Sequence, residues 1–95
     1  MLTKKFVVVS YDIPDDKRRT RLHKRLLDFG APVQYSVFEC LLAEKDFARM
    51  QRAVRRTIKP RLDQVRFYLL CETCRGKIET TAGAEVVKEA QVIIV

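Results

Sequence analysis

The strongest constraint on this chain is the run Phe6-Val7-Val8-Val9, the centre of a strand predicted at about Lys5–Tyr11. Apolar residues in unbroken succession need cover on both faces, which predicts a central place in a sheet. The run is far too short for a signal-peptide core or a membrane span, and no cleavage site follows it. Ile13-Pro14-Asp15-Asp16 then stops the strand and starts a helix. Pro14 fixes the entry, and two carboxylates in the first turn suit the positive end of the helix dipole. The helix is predicted to run to about Phe29, with Gly30 as its C′ residue. At 100° per residue, Leu22, Leu26, Leu27 and Phe29 gather on one side with His23 among them. Lys17, Arg18, Arg21, Lys24 and Arg25 occupy the other side. Arg19 is the exception, because it projects toward the apolar side, where a guanidinium needs an anionic partner or snorkels to solvent.

Ala31–Leu42 is strand-like, rich in Val, Tyr and Phe. It fits one long strand or two with a tight reversal near Tyr35-Ser36, and no Gly or Asn marks a turn there. A second helix is predicted at about Glu44–Ile58 from the spacing of Phe47, Met50, Val54 and Ile58, ended by Pro60. Arg49, Arg52, Arg55, Arg56 and Lys59 stand mostly away from that stripe. Gln64–Cys71 alternates as a strand, a weaker strand is predicted at Ile78–Thr81, and the chain closes on Gln91-Val92-Ile93-Ile94-Val95. This order predicts one α+β domain over residues 1–95, a split βαβ arrangement with both helices on one face of a sheet. An apolar strand at a chain end must cover a sheet edge, its own or that of a second protomer.

The 95 residues carry a formal net charge of +7. So small a basic protein attracts polyanions, of which nucleic acid is the commonest. A membrane surface fits less well, because acids are interleaved with the basic residues and no Trp-rich amphipathic terminus is present. Three cysteines, an odd number, without an export signal predict reduced thiols in the cytoplasm.

Asp12 is the leading candidate for chemistry, since it stands where the chain leaves the predicted central strand. Mg²⁺ takes one or two protein carboxylates and completes its octahedron with water and phosphate oxygens. One Asp per subunit would suffice where a two-fold axis brings two copies together. The competing reading is that Asp12, Asp15 and Asp16 make the turn and cap the helix. Arg19 and Arg21 are candidates to bind a phosphate there through their planar forks; the alternative is a solvated basic face. The arginine stripe of the second helix is likewise a phosphate-tracking ridge or ordinary surface. His23, the lone histidine, lies among leucines and is predicted to be packed, so a nucleophilic triad is not expected. Cys71-Glu72-Thr73-Cys74 supplies half of a zinc site, and Cys40 and His23 would complete it only by a coincidence of folding. A thioredoxin-like role would place the pair at a helix start, which this stretch does not clearly supply. Tyr11, Tyr35, Phe38, Phe67 and Tyr68 are predicted on strands, as a base-stacking platform or, for at least half of them, as core. The signature of the common sheet-based RNA-recognition module is absent.

Two segments together resemble the CRISPR-associated protein 2 family: Tyr11-Asp12-Ile13-Pro14-Asp15-Asp16-Lys17-Arg18-Arg19 and Val33-Gln34-Tyr35-Ser36-Val37-Phe38-Glu39. Their order and spacing, the chain length and the apolar C-terminal run extend the match over nearly the whole chain, and Asp63–Cys74 is similar to the family's next strand. The resemblance implies a ferredoxin-like βαββαβ fold, so that Ala31–Leu42 should be two strands. It implies a homodimer with the last strand exchanged onto the partner, and metal-dependent endonuclease activity on single-stranded RNA or double-stranded DNA. It also implies a dimeric bridge between integrase subunits in spacer acquisition. The position of Asp12 is that of the family's ligand for Mg²⁺ or Mn²⁺, and Tyr11, Arg19, Arg21 and Phe38 match positions implicated in activity. Phe38 is expected to position a base or to pack beneath the site. Some members act as scaffolds whose acidic pair is dispensable, and a toxin-like ribonuclease of similar fold is a third possibility. A cysteine pair at this place in the family suggests a structural role.

Overall fold

The computed structural model describes residues 4–81 and residue 86. Lys4–Asp12 forms β1, which lies inside a four-stranded antiparallel sheet of order β2-β3-β1-β4. Its neighbours are β3 (Val37–Ala43) and β4 (Gln64–Leu70), with Val9 opposite Phe38 on one side and Phe67 on the other. The central position expected of the apolar run is therefore observed. Val7, Val9 and Tyr11 enter the main core on the helical face, while Phe6 joins Leu41, Val8, Leu70, Ile78 and Val86 in a smaller cluster on the opposite face.

Asp16–Leu26 forms α1, and the Asp15 carboxylate caps it by accepting from the Arg18 N–H at 2.8 Å. The helix ends three residues earlier than the sequence predicts. Phe29 N–H donates to Leu26 O at 2.9 Å and Asp28 N–H to Arg25 O at 3.2 Å, so the last turn tightens into i→i+3 bonds. Gly30 is needed for a different reason than a left-handed helix cap. A Cβ there would lie 2.4 Å from Glu39 O and 2.5 Å from Cys40 Sγ, because the chain passes directly over β3 at this point.

Ala31–Gln34 is β2, an edge strand whose Pro32 needs no inward donor. Tyr35 and Ser36 make the two-residue reversal into β3, which decides between the one-strand and two-strand readings in favour of two. A bulge between Pro32 and Gln34 lets that turn close without a glycine or asparagine. Glu44–Thr57 is α2; Ile58, its C-cap, is already extended two residues before Pro60. Leu22 and Leu26 of α1 meet Met50, Ala53 and Val54 of α2 over Val7, Val9 and Phe38. Each large side chain enclosed here contributes about 1.5–3 kcal/mol through burial.

The βαββαβ order and strand arrangement are ferredoxin-like, with both helices on one face. Two expectations fail after β4. Cys71 is not strand; it caps a one-turn helix, α3 (Glu72–Arg75). Ile78–Thr81 forms no strand: Lys77 and Ile78 N–H bond back to Cys74 and Arg75 carbonyls, and the Ile78 side chain turns onto the Phe6 cluster. The predicted strand at Gln91–Val95 lies outside the described residues.

Candidate functional site

β1 ends at Asp12, which pairs in register with Gln64 of β4 and points an exposed carboxylate outward. Its side chain has no hydrogen-bond partner among the described residues, whereas Asp15 and Asp16 are engaged by α1. The turn-and-cap reading therefore applies to Asp15, and to Asp12 it does not.

Tyr11, the residue before Asp12, turns to the other face of the sheet and enters an aromatic cluster of the helical core. Tyr11 is 4% exposed and Phe38 is fully enclosed, with ring centroids 6.4 Å apart. His23 stands edge-on to Phe38 at 5.1 Å, and its Nδ1 lies 3.4 Å from Tyr11 Oη. Burial raises the Tyr11 phenol above its ordinary value, partly offset by the nearby Arg19 charge, so it stays neutral and able to donate. His23 is packed, as its leucine neighbours implied. Of the two expectations for Phe38, positioning a base does not fit, because an enclosed ring offers no face to one; the ring packs in the helical core behind the strand that carries Asp12. Tyr11 N–H also donates to Ser36 O at 3.1 Å, which ties the β2–β3 turn to the end of β1.

Arg19 finds its anionic partner in Asp16 and donates Nη1–H to Ile13 O at 2.8 Å. It thus braces the residue directly after Asp12. Arg21 is two positions on, about 200° around the helix, and lines a shallow depression with Asp16, Lys17, Thr20 and Lys24. The structure thus gathers Tyr11, Asp12, Arg19 and Phe38 at one end of the sheet and sets Arg21 apart on the outer side of α1.

Sequence reasoning missed one pair. Arg18, assigned to the solvated side, grips the fully enclosed Asp63 through Nε at 2.7 Å and Nη2 at 2.8 Å. Asp63 also accepts Lys59 N–H at 2.8 Å. The Arg18 guanidinium holds the Asp63 carboxyl below the usual carboxylate range. This fork ties the first turn of α1, and the Asp12 loop before it, to the segment joining α2 and β4. The signal in the sequence is a lone acid, Asp63, in the basic stretch Lys59-Pro60-Arg61-Leu62-Asp63-Gln64-Val65-Arg66.

The remaining candidates disperse. Cys40 is buried against Met50 Sδ at 3.9 Å, and desolvation pushes its thiol up to about 12. Cys71 and Cys74 are exposed and, contrary to the sequence reading, do stand at a helix start, where Cys71 Sγ accepts Cys74 N–H at 3.4 Å. That bond lowers the Cys71 thiol, while the adjoining Cys71 raises that of Cys74. Among the described residues, no three His, Cys, Asp or Glu side chains gather to hold a metal ion. Tyr35 lies in the β2–β3 turn at 94% exposure, not on a strand, and Tyr68 is half exposed on β4. Tyr11 and Phe38 are core and Phe67 packs against it, so the reading of at least half of these rings as core is the one observed. No described helix is long and apolar enough to cross a membrane.

Residues 5–78 match the family model described as CRISPR associated protein Cas2. A relative from Chloroflexus aurantiacus, named CRISPR-associated endoribonuclease Cas2 3, is 46% identical over 67 residues, covering 70% of this chain and 72% of its own. Streptococcus pyogenes Cas2 at pH 6.5 superimposes with a TM-score of 0.72 at 32% identity, over 81% of this chain and 99% of that one. A chain from a partial Cas6-RT-Cas1–Cas2 complex superimposes with a TM-score of 0.73 at 26% identity, over 88% and 92%. The strand-end aspartate and the ferredoxin-like sheet sit within the matched residues, and the chain belongs to the CRISPR associated protein Cas2 family.

Proposed function

We propose that this protein is a divalent-metal-dependent endonuclease of single-stranded RNA, acting as a cytoplasmic homodimer beside an integrase subunit in CRISPR spacer acquisition and antiviral defence. The observation that carries the reading is the exposed Asp12 carboxylate, without a hydrogen-bond partner among the described residues, at the end of the central strand. The endoribonuclease named among the relatives supports RNA as substrate, and the neighbour from a Cas1–Cas2 complex supports the integrase partner.

One carboxylate per chain fits Mg²⁺ or Mn²⁺ shared across a two-fold axis, since such ions keep several waters and take only one or two protein carboxylates. The Asp12 carboxylates of two protomers would hold the ion, which would supply an activated water and polarise the scissile phosphate. The chain's own residues do the rest. Tyr11, locked by His23 and the Ser36 carbonyl, fixes the direction in which β1 delivers Asp12. Phe38 packs against Tyr11 and makes the end of β1 rigid. Arg19 holds the Ile13 carbonyl and adds a positive charge one residue from Asp12, which offsets charge building on the phosphate. Arg21, outward on α1, meets the flanking backbone.

The test is cleavage of end-labelled single-stranded RNA and double-stranded DNA with Mg²⁺, Mn²⁺ or EDTA. The wild type cuts RNA only with metal, and Asp12→Ala loses that metal-dependent cleavage at an unchanged melting temperature. A second reading, a non-catalytic dimeric scaffold that binds incoming DNA, draws on the absence of any group of three metal-ligating side chains among the described residues and on the basic helical face. Equal inertness of wild type and Asp12→Ala, with undiminished DNA binding by both, would favour it.

A further inference from the structure

The turn Cys71-Glu72-Thr73-Cys74 takes no part in the nuclease reading, yet it holds two nucleophilic side chains together at the surface. Arg75 N–H donates to the Cys71 carbonyl at 2.9 Å and Gly76 N–H to that of Glu72 at 3.0 Å, which closes one helical turn. Cα atoms three residues apart on such a turn are separated by about 5 Å. A disulfide spans about 4.4–6.8 Å between Cα atoms. The sulfurs also face one another: Cys71 Sγ accepts the Cys74 N–H at 3.4 Å, and the Cys74 thiol hydrogen-bonds to it. The pair is placed to close without a change of backbone.

The two thiols are not equivalent. Hydrogen bonds from the Cys74 N–H and thiol hold Cys71 below the ordinary thiol range, and the same contact raises Cys74. That is the division between an attacking and a resolving sulfur. Both are exposed, so a small molecule reaches them. Cys40 is the contrast: it is enclosed in the core beside Met50, and burial pushes its thiol up to about 12. A structural zinc ion takes four ligands, and among the described residues no third His, Cys, Asp or Glu joins the two sulfurs.

The turn also has something to hold. The Arg75 guanidinium lies 5.2 Å from the centre of the Phe6 ring, and Ile78 packs on the Phe6–Leu41 cluster. Lys77 and Ile78 N–H bond back to the Cys74 and Arg75 carbonyls. A covalent link across the turn therefore fixes the segment that seats Ile78 on that face of the sheet.

We infer that Cys71 and Cys74 form a thiol–disulfide exchange site, oxidised reversibly by small disulfides of the glutathione class. The Cys71 thiolate attacks one sulfur of the incoming disulfide, forms a mixed disulfide and releases the first small thiolate. The Cys74 thiol gives up its proton and attacks Cys71 Sγ, which forms the internal disulfide and expels the second thiolate. Two electrons and two protons pass from the pair to the small disulfide, which leaves as two thiols. The site stands apart from the nuclease reading, since Cys71 follows Leu70, at the opposite end of β4 from Gln64, the partner of Asp12.

The test uses full-length protein, reduced and then equilibrated in EDTA with glutathione buffers of rising disulfide fraction, and read by intact and peptide mass spectrometry. The wild type loses two hydrogens, with the link between Cys71 and Cys74 and with Cys40 unmodified, and dithiothreitol restores the starting mass. Cys74→Ser stops at the mixed disulfide and carries one glutathione on Cys71, whereas Cys71→Ser is modified more slowly, on Cys74. Both positions are exposed and serine is itself a helix-capping residue, so both variants keep their fold. Oxidation of the wild type also slows amide hydrogen exchange at Gly76, Lys77 and Ile78. A wild type that takes up glutathione on both cysteines without forming the link, or that links only between chains, overturns the assignment. So does a wild type that stays reduced at a disulfide fraction that modifies Cys74→Ser. Zinc held by the protein as purified, one ion for two cysteine pairs and blocking the link until EDTA removes it, would assign the pair to a metal instead.

Discussion

Arg18 shows how a single residue escapes a helical wheel. Its position on α1 places it with Lys17 and Arg21, yet its guanidinium is spent on Asp63, forty-five residues away. Periodicity reports which side of a helix faces the core; it carries no information on which loop folds over the helix start. Asp12 and Arg19 were legible because their signals are local: a carboxylate at a strand end, and a cation on an apolar face. The Asp63 fork also has a pH signature. Its carboxyl titrates below its unfolded value, so the stabilisation it gives is whole above about pH 4 and is lost as pH falls through the lower folded value. Asp63→Asn lowers the melting temperature at pH 7 by roughly 5 °C or more. It also flattens the loss of stability below about pH 4. Thermal melts of the two proteins from pH 7 to acid check both parts.

The elements follow the sequence closely where pattern decides and depart from it where close packing decides. β1, α2 and β4 lie within a residue or so of their predicted limits, since apolar periodicity defines them. The end of α1 and the turn between β2 and β3 do not announce themselves, because one is set by the approach of Gly30 to β3 and the other by a bulge. Neither event leaves a composition signal beyond a lone glycine. Substituting Gly30, and Gly76 as a control with room for a side chain, tests the close approach. Gly30→Ala forces a Cβ against the Glu39 carbonyl and Cys40 Sγ and costs about 1–3 kcal/mol. Gly76→Ala meets only ordinary contacts at 3.5 and 3.6 Å in a right-handed backbone, and is neutral or stabilising by up to about 1 kcal/mol. Urea midpoints of the two variants decide the matter. The one-turn helix after β4 was missed for a related reason: Cys71 caps it with sulfur, a weaker acceptor than the usual oxygen caps.

At the scale of the whole molecule, the fold divides its surfaces by task. The helical face carries the arginines, the end of the sheet carries Asp12, and the opposite sheet face carries the Phe6–Leu41 cluster. The strand-end aspartate was legible in the residues and the βαββαβ order in the family resemblance, whereas the grouping of four arginines across two helices needed the packing of α1 on α2. A single carboxylate per chain makes the account depend on two chains, with Asp12 of each protomer on one shared ion. The most direct measurement is Mn²⁺ binding to the purified protein, followed by the loss of the free-ion paramagnetic resonance signal, for wild type and Asp12→Ala. The account predicts one Mn²⁺ for every two chains in the wild type and none at that affinity in Asp12→Ala. Equal binding by the two proteins would contradict it.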